Sequence, residues 1–546
     1  MTTSHHRNRS VAEEPVTSVL PDGDIPYDPT HSLNPDEEAL AALGYKSEFK
    51  REFSLFTTFC VSFAVLGLLP SFASTLYYGM GYAGTAGMTW GWVVAMIGIQ
   101  CVAMILAPPG WGPFAAWLTG WSNWLAQITA APSGKYKTDI LFLVDMGMQL
   151  TVLSNYQTFL LTVFIMILHA TLSSMPTRWL AQLNSAGSTF NFIALIVVLI
   201  MIPAGTDRTD RGLPRFAPSS EVWGTIYEGT SFPAGISVLM SFIGVIWTMS
   251  GYDSPFHLAE ECSNANLASP RAIVLTSATG GLFGWFLQLV VAYTVVDIDL
   301  VLDSELGQPF AAYLMQCMSQ KMTLAILALT IIAGFSMGQG CMIAASRVTF
   351  AYARDDCFPL SKYWKRVNRH TQTPANAVWF NCAIGILCLL LIFGGELAVG
   401  ALFSIGAIAA FVAFTIPIFI RVFFVGNRFR PGPWNLGKYS SAIGSVACAF
   451  VLLMIPILCF PSVTGADLTA ADMNWTCVVY GGPMLLVTIW WFVSAHKWFK
   501  GPKVNIEHMM LGREEAVVMG QGSVGDGKDG DSLLGDVQAP EKIAKS

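Results

Sequence analysis

Long apolar stretches dominate this sequence and restrict what it can fold into. About twelve of them approach or exceed the roughly 20 residues that an α-helix needs to cross a bilayer. They lie near 54–79, 88–107, 111–132, 156–175, 189–204, 234–262, 272–296, 321–346, 375–394, 397–424, 440–461 and 475–497. Because only 12% of the residues are charged, a soluble chain of this composition could not cover its surface with polar groups. The sequence therefore predicts an all-α, polytopic membrane protein.

Basic residues predict which side of the membrane each connection faces, since lysine and arginine are enriched in cytosolic loops. Six of them fall in 347–372 and four in 421–438, whereas 462–474 has none. One connection, 205–233, disagrees because it carries three arginines on the predicted outer side. The balance predicts that both termini are cytosolic.

Two of the predicted helices carry helix-breaking residues near mid-membrane. The first contains Gly67, which permits non-helical dihedral angles, and Pro70, which removes a hydrogen-bond donor. The sixth is interrupted at 250–251, after which Ser254 could cap a short second helix with Pro255 at its first position. Such breaks are tolerated only where they are buried in protein or line a cavity. Paired breaks point to a transporter binding site; for the first, a proline kink without function is the alternative.

Unwound backbone can bind a small charged solute. Free amide N–H groups at a half-helix start attract a carboxylate, and free carbonyl oxygens attract an ammonium group. A zwitterion needs both kinds of group within one pocket. We therefore expect the two breaks to lie together, with the amides of 67–71 and the carbonyls of 250–252 facing the solute.

Ionisable residues follow the second break. Asp253 is closest to it and is the first candidate for a charge that meets substrate or proton, because a charge within a membrane helix is costly; helix capping is its alternative role. His257, Glu260 and Glu261 follow at helical spacing, so that His257 shares a face with one of the glutamates. They are candidates for proton coupling or gating. The alternative is that they are solvated at the cytosolic interface, with Arg271 as a partner.

Other chemistry is not indicated by the sequence. The eleven cysteines lie mostly within apolar stretches and form no CxxC pair, so they predict neither a disulfide framework nor a metal site. The absence of a GxxxxGK[ST] sequence argues against ATP-driven pumping. No enzyme motif, cofactor or nucleic-acid partner is expected.

Four segments carry a close resemblance to a known family. They are SFAVLGLLPSFAST, SSMPTRWLAQLNSAGSTFN, LMSFIGVIWTMSGYDSPFHLAEECSNANLASPRAIVLTS and SMGQGCMIAASRVTFAYARDD. The chain resembles fungal 4-aminobutyrate (GABA) permeases, in the amino acid/choline branch of the amino acid–polyamine–organocation superfamily. The resemblance implies two inverted five-helix repeats plus two helices, with discontinuous first and sixth helices. It also implies secondary, usually proton-coupled, transport of GABA and related amino compounds.

By position, the resemblance assigns the substrate-binding role to the residues of the two breaks. These are Leu66, Gly67, Leu68, Leu69, Pro70, Ser71, Met249, Ser250, Gly251, Tyr252 and Asp253.

The expected function is therefore transport of GABA or a related amino acid across a lipid bilayer, with the proton as coupling ion. Two alternatives stay open: a choline or polyamine permease, which handles purely cationic substrates, and a sensor that binds substrate without translocating it. The transmembrane transporter domain is expected at 51–499, between cytosolic tails at 1–50 and 500–546. Plasma and vacuolar membranes are both compatible with the resemblance.

The region 105–155 departs from the permease pattern. ILAPPGWGPF stands where the family has a longer acidic turn, and GKYKTDILFLVDMGMQLTVLSNYQ replaces the apolar end of the third helix. Gly134-Lys135-Tyr136 can be encoded by GGTAAGTAT, which contains a fungal splice-donor sequence. We hypothesise that part of 134–152 is a translated intron; transcripts that read continuously through it would refute this. With the chain as written, we expect a third helix that barely spans the membrane and impaired transport.

Overall fold

The chain is all-α, as its apolar pattern predicts. A computed structural model describes Phe49 and residues 51–105, 113–145, 154–304, 306, 308–394, 396–425, 433–465, 468–470 and 473–499. Within these residues there is no β-strand, and a single isolated bridge joins Phe53 to Cys262.

Nine stretches of the described residues are long and apolar enough to span a bilayer. The longest, Leu55–Met104, has 50 residues; at about 1.5 Å per residue it would reach about 75 Å, more than twice the roughly 30 Å hydrocarbon layer. It bends at Gly84, where φ is 62° and ψ is −156°, and so forms two spans. With the shorter apolar helix Ala234–Thr248 and the 33-residue helix Pro113–Asp145, which is not among the nine, the described helical segments number twelve, as predicted.

We number the spans in chain order. The first comprises Leu55–Leu66 and the part of Leu68–Ile105 before Gly84, and the second is the part after it. The others are Pro113–Asp145, Asn155–Ser173, Thr177–Gly205, Ala234–Thr248 with Ser254–His257, Ala265–Thr294, Gln320–Arg354, Ala375–Leu389, Glu396–Ile420, Ser440–Ile457 and Thr476–Trp490. Short helices lie at Ser219–Gly224, Ile298–Leu302, Pro309–Cys317, Ser361–Trp364 and His496–Trp498. The division into two inverted repeats stays a prediction.

The first and eighth spans lie at the centre of the molecule. The most apolar window of Leu55–Met104 is 78% buried and that of Gln320–Arg354 is 72% buried, against 11% for Thr476–Trp498. The twelfth span is therefore peripheral, and its exposed Leu485 and Leu486 suit contact with lipid tails. An internal binding site must be built mainly by the central spans.

The third span is longer than the sequence suggested. Its helix runs for 33 residues, Pro113–Asp145, but it is not among the nine described stretches that are both long and apolar enough to cross a bilayer. The expectation that it barely spans the membrane stays a prediction. It is tied to the tenth span by a hydrogen bond from Ser122 Oγ to the Ala409 carbonyl oxygen (2.7 Å). A second bond, from Trp124 Nε1 to Thr349 Oγ1 (3.0 Å), ties it to the eighth. The connection before this helix and residues 146–152 lie outside the described residues.

An arginine that conflicts with the basic-residue pattern has a structural use. Arg215 donates from Nη2 to the carbonyl oxygens of Pro203 (2.9 Å) and Ala204 (2.7 Å), at the end of the fifth span. Carbonyl groups in the last turn of a helix have no partner within the helix. Arg215 thus supplies hydrogen-bond donors to the end of the fifth span. This role explains why the connection 205–233 contains an arginine, on whichever side of the membrane the connection lies.

Candidate functional site

The first span is broken at Gly67. Helix Leu55–Leu66 ends there, with Gly67 in the left-handed region (φ 48°, ψ 56°), and a new helix begins at Leu68. The Gly67 amide is satisfied by the Phe63 carbonyl oxygen (3.1 Å). Among the bonds of the described residues, none is donated by the amides of Leu68 or Leu69, which open the second half-helix. This break therefore presents two free N–H groups.

The sixth span is broken after Thr248. Gly251 lies in the turn with φ 101°, and a one-turn helix, Ser254–His257, follows. The sequence suggested that Ser254 caps this helix, but the capping position belongs to Asp253, whose side chain makes no capping bond. Ser254 is instead the first helical residue, and its hydroxyl donates to the Gly251 carbonyl oxygen (2.6 Å).

The two breaks are in direct contact. A Cβ placed on Gly251 would lie 2.7 Å from the Val65 side chain and 3.1 Å from the Val65 carbonyl carbon. Ser62 Oγ also donates to the Tyr252 carbonyl oxygen (3.3 Å). The glycine is required here both by its positive φ and by this close approach. The predicted breaks are thus both present, and they lie together.

A cavity opens beside the contact between the two breaks. Its empty space is about 730 Å³, part of which is open to solvent. The lining residues come from the first, second, third, sixth, eighth and tenth spans: Val65, Ser71, Ile99, Ala126, Gln127, Ala130, Ile246, Trp247, Ser250, Gly251, Tyr252, Asp253, Met337, Cys341, Gly406, Ala407, Ala410, Phe411 and Phe414. The wall is largely apolar, and among the described residues that line it only Asp253 has a charged side chain.

Some of the predicted site residues line the cavity, and others do not. Of the eleven, Ser71, Ser250, Gly251, Tyr252 and Asp253 line it. Leu66, Gly67, Leu68, Leu69, Pro70 and Met249 are not among its lining residues.

The eighth span explains why the first break is set back from the cavity. The Cγ and Sδ atoms of Met337 both lie 2.5 Å from where a Cβ of Gly67 would be. Ser71 Oγ lies against the same side chain, 3.2 Å from Met337 Sδ, and donates to the Leu66 carbonyl oxygen (2.9 Å). The thioether thus covers the first break on the cavity side.

Asp253 forms a buried polar cluster with two other side chains. His257 Nε2 lies 2.8 Å from Asp253 Oδ2, and each side chain is about 5% exposed. Gln127 Nε2 lies 3.3 Å from the same oxygen and 3.1 Å from His257 Nε2. A protonated Nε2 would donate to Asp253, whereas an unprotonated one would accept from Gln127. The cluster therefore has two hydrogen-bonded arrangements that differ in the position of a proton.

The two glutamates have different partners from those expected. Glu261 Oε1 and Oε2 accept from Arg347 Nε (2.7 Å) and Nη2 (3.4 Å), and both side chains are buried. Glu260 pairs in the same two-pronged manner with Arg354 (2.6 and 3.0 Å), at a site where its own side chain is 24% exposed. The interpretation of these residues as solvated groups is therefore wrong for Glu261 and for His257, whose side chain is about 5% exposed. Both glutamates tie the chain just after the sixth span to the eighth span, and His257 contacts Asp253 rather than either glutamate.

We expect Glu261→Gln to destabilise the protein by about 3–5 kcal/mol, because it leaves the Arg347 charge buried without a counter-ion. Thermal unfolding of the detergent-purified protein would measure this. The matched control is Glu260→Gln at the more exposed pair, which should cost clearly less. Equal stability of the two variants, with transport lost only in Glu261→Gln, would instead assign Glu261 to proton coupling or gating.

Two residues of the site were missed by the sequence interpretation. Gln127 is a polar residue inside an apolar span, a signal that could have marked it. Met337 gave no signal, because a methionine in a membrane helix is ordinary and its position over Gly67 depends on packing between distant spans.

Comparisons with known proteins agree with this architecture. Residues 53–483 match the family model described as amino acid permease. An uncharacterised amino-acid permease of Schizosaccharomyces pombe is 56% identical over 505 residues, covering 88% of this chain and 92% of the relative. A Candida albicans protein whose name proposes it as a polyamine transporter is 46% identical, covering 94% and 96%. An amino-acid permease of Arabidopsis thaliana is 29% identical, covering 86% and 96%. The chain belongs to the amino acid permease family, a family of integral, multi-pass membrane transporters.

Proposed function

We propose that this protein is a secondary transporter of a small amino compound whose ammonium group binds beside Asp253. The observation that carries the proposal is a buried carboxylate, 4% exposed, which is the only charged side chain among the described residues that line the cavity. A charge within a membrane protein is costly unless it is paired, and a substrate ammonium group would add a charged partner to the neighbours His257 and Gln127 that Asp253 already has. The Ser250 carbonyl oxygen, which accepts no hydrogen bond from a described residue, offers a second acceptor.

GABA is the substrate we propose first. Its ammonium group would take the position beside Asp253, and its carboxylate needs donors elsewhere in the cavity. The hydroxyl of Tyr252 is one, since it is buried, belongs to a residue that lines the cavity, and has no hydrogen-bond partner among the described residues. The free amides of Leu68 and Leu69 are two more, provided that Met337 moves aside.

We expect Tyr252→Phe to raise the KM for GABA by about 2- to 10-fold, the worth of one hydrogen bond. It should leave the unfolding temperature unchanged or slightly higher, since it removes a buried hydroxyl that has no partner. Uptake kinetics and thermal unfolding of the same preparation would separate the two effects. An unchanged KM would show that the hydroxyl does not meet the substrate.

A polyamine is the second candidate substrate, because the Met337 side chain covers the first break. A purely cationic substrate needs no amide donors, and Met337 packs against Gly67, just before the half-helix that offers them. One relative, 46% identical, carries a name that proposes polyamine transport. Such a substrate would use Asp253 and leave Met337 in place.

Proton coupling is supported by the polar cluster around Asp253. A carboxylate and an imidazole 2.8 Å apart can share or exchange a proton, and substrate bound at Asp253 would disturb that pair. The proposal includes cytosolic termini, as the basic connections 347–372 and 421–438 suggest. Residence in the plasma or the vacuolar membrane fits it equally.

Reconstitution of the full chain into proteoliposomes tests the proposal. We expect uptake of labelled GABA driven by an inward proton gradient and abolished when the gradient is collapsed. Competition by GABA, putrescine, choline and α-amino acids at two external pH values would rank the substrate classes. Saturable binding with no counterflow of labelled substrate would contradict transport and indicate a sensor.

A further inference from the structure

Two cysteines lie in contact where the eleventh span ends and the twelfth begins. Their side chains lie close enough for Cys477 to act on the Cys459 thiol. Asn474 Nδ2 donates to the carbonyl oxygens of Leu458 (3.0 Å) and Phe460 (3.1 Å). Asn474, three residues before Cys477, therefore binds the backbone on both sides of Cys459. These two hydrogen bonds hold the segments that carry the cysteines next to each other.

The same asparagine begins the glycosylation sequence Asn474-Trp475-Thr476, yet its side chain is already fully used. Its Oδ1 accepts from the Thr476 amide (3.2 Å) and from Thr476 Oγ1 (2.5 Å), while Nδ2 holds the two carbonyls. A glycan on Nδ2 would break the clip. The arrangement fits a structural clamp around the cysteine pair.

The clamp lies on the side that the basic-residue pattern predicts to be outside the cytosol. The connection 462–474 contains no lysine or arginine. Outer and lumenal compartments, including the one in which membrane proteins mature, favour disulfides. A thiol pair on this side meets oxidants that cytosolic cysteines do not.

We propose that Cys459 and Cys477 form a disulfide in the mature protein, a covalent tie between the eleventh and twelfth spans. The oxidant is a disulfide of a thiol oxidoreductase or of glutathione. The Cys477 thiolate attacks one oxidant sulfur and releases the other as a thiol. Cys459 then loses its proton, attacks the Cys477 sulfur and releases the second thiol. Two cysteine thiols are oxidised to one disulfide, and one oxidant disulfide is reduced to two thiols.

The order of attack follows from exposure. Cys477 is exposed, whereas Cys459 is half-buried, so Cys477 is the thiol that an oxidant can reach. Burial, and then the hydrogen bond and the nearby charge of Cys477, raise the pKa of Cys459 to about 12. Cys459 is therefore a weak nucleophile until Cys477 is already joined to the oxidant.

The disulfide would stabilise the molecule without taking part in transport. Neither cysteine lines the cavity beside Asp253. The tie closes the connection between two spans, which restricts the unfolded chain more than the folded one. It also holds the outer end of the poorly buried twelfth span.

Mass spectrometry of the full-length protein tests the proposal directly. Cells are treated with N-ethylmaleimide before lysis, and the purified protein is digested without reductant. We expect a linked pair of peptides containing Cys459 and Cys477, and no maleimide on either. Both cysteines carrying maleimide would overturn the proposal, whatever the uptake activity.

A second test measures the unfolding temperature with and without reductant. Reductant should lower the unfolding temperature of the unmodified protein and leave that of Cys459→Ser and Cys477→Ser unchanged. The matched control is Cys448→Ser, a buried cysteine of the same span, which should keep the full response to reductant. A response that persists in Cys459→Ser would count against the disulfide.

Discussion

Asp253→Asn is expected to lower kcat/KM for amine uptake by about 10- to 100-fold. A hydrogen bond to a charged group is worth about 1.5–3 kcal/mol, and each 1.4 kcal/mol is a factor of ten. The asparagine is nearly the same size, so it removes the negative charge and leaves the packing of the two breaks in place. Initial rates in proteoliposomes, with binding of the same substrate measured separately, would show the loss.

The control is Asp356→Asn, which removes a carboxylate from the half-exposed pair with Lys365 (3.0 Å) away from the cavity. It should keep uptake within about twofold, since exposed pairs contribute little. Substrate binding by Asp253→Asn equal to that of the unmodified protein would contradict the role of Asp253 in holding the ammonium group.

A second variant separates substrate binding from proton coupling. His257→Gln keeps the Asp253 carboxylate but removes the imidazole 2.8 Å from it. If the pair carries the proton, we expect substrate binding to be largely kept while the dependence of uptake on external pH is lost. Unchanged pH dependence would exclude His257 from the coupling step.

The sequence was sufficient for the architecture because the bilayer restricts the choices. Apolar length determines where helices cross, and glycine with proline marks where a helix must break. Gly67 and Gly251 were recognisable for that reason, and the contact between the two breaks was expected because paired breaks serve one pocket.

The details that the sequence did not give depend on contacts between distant spans. Nothing local to Glu261 indicates that its partner is Arg347, 86 residues further on, rather than the nearer Arg271. The same holds for Gln127, which reaches Asp253 from the third span. Rules that operate within one helix identify the residues of the breaks, but they cannot identify which side chain of another helix meets them.

The position of Met337 changes which experiment can distinguish GABA from a purely cationic substrate. Substitution of Gly67 with a bulky residue would be the obvious test of whether the first break binds a carboxylate. In the structure, however, Gly67 has a φ of 48°, which costs a non-glycine residue roughly 1–2 kcal/mol. Its Cβ would also meet Met337 at 2.5 Å. Such a variant would be impaired with any substrate, so its failure would say nothing about the carboxylate.

Met337→Ala asks the same question without disturbing the break. Removing the thioether uncovers the free amides of Leu68 and Leu69, which can then bind a carboxylate. We expect the ratio of kcat/KM for GABA to that for putrescine to rise by at least about tenfold, the value of one charge-assisted hydrogen bond.

The control is Met342→Ala, a fully buried methionine of the same span that does not line the cavity. Both changes should cost about 2–5 kcal/mol of stability, so only the substrate ratio separates them. An unchanged ratio in Met337→Ala would show that the first break is not where the substrate's carboxylate binds.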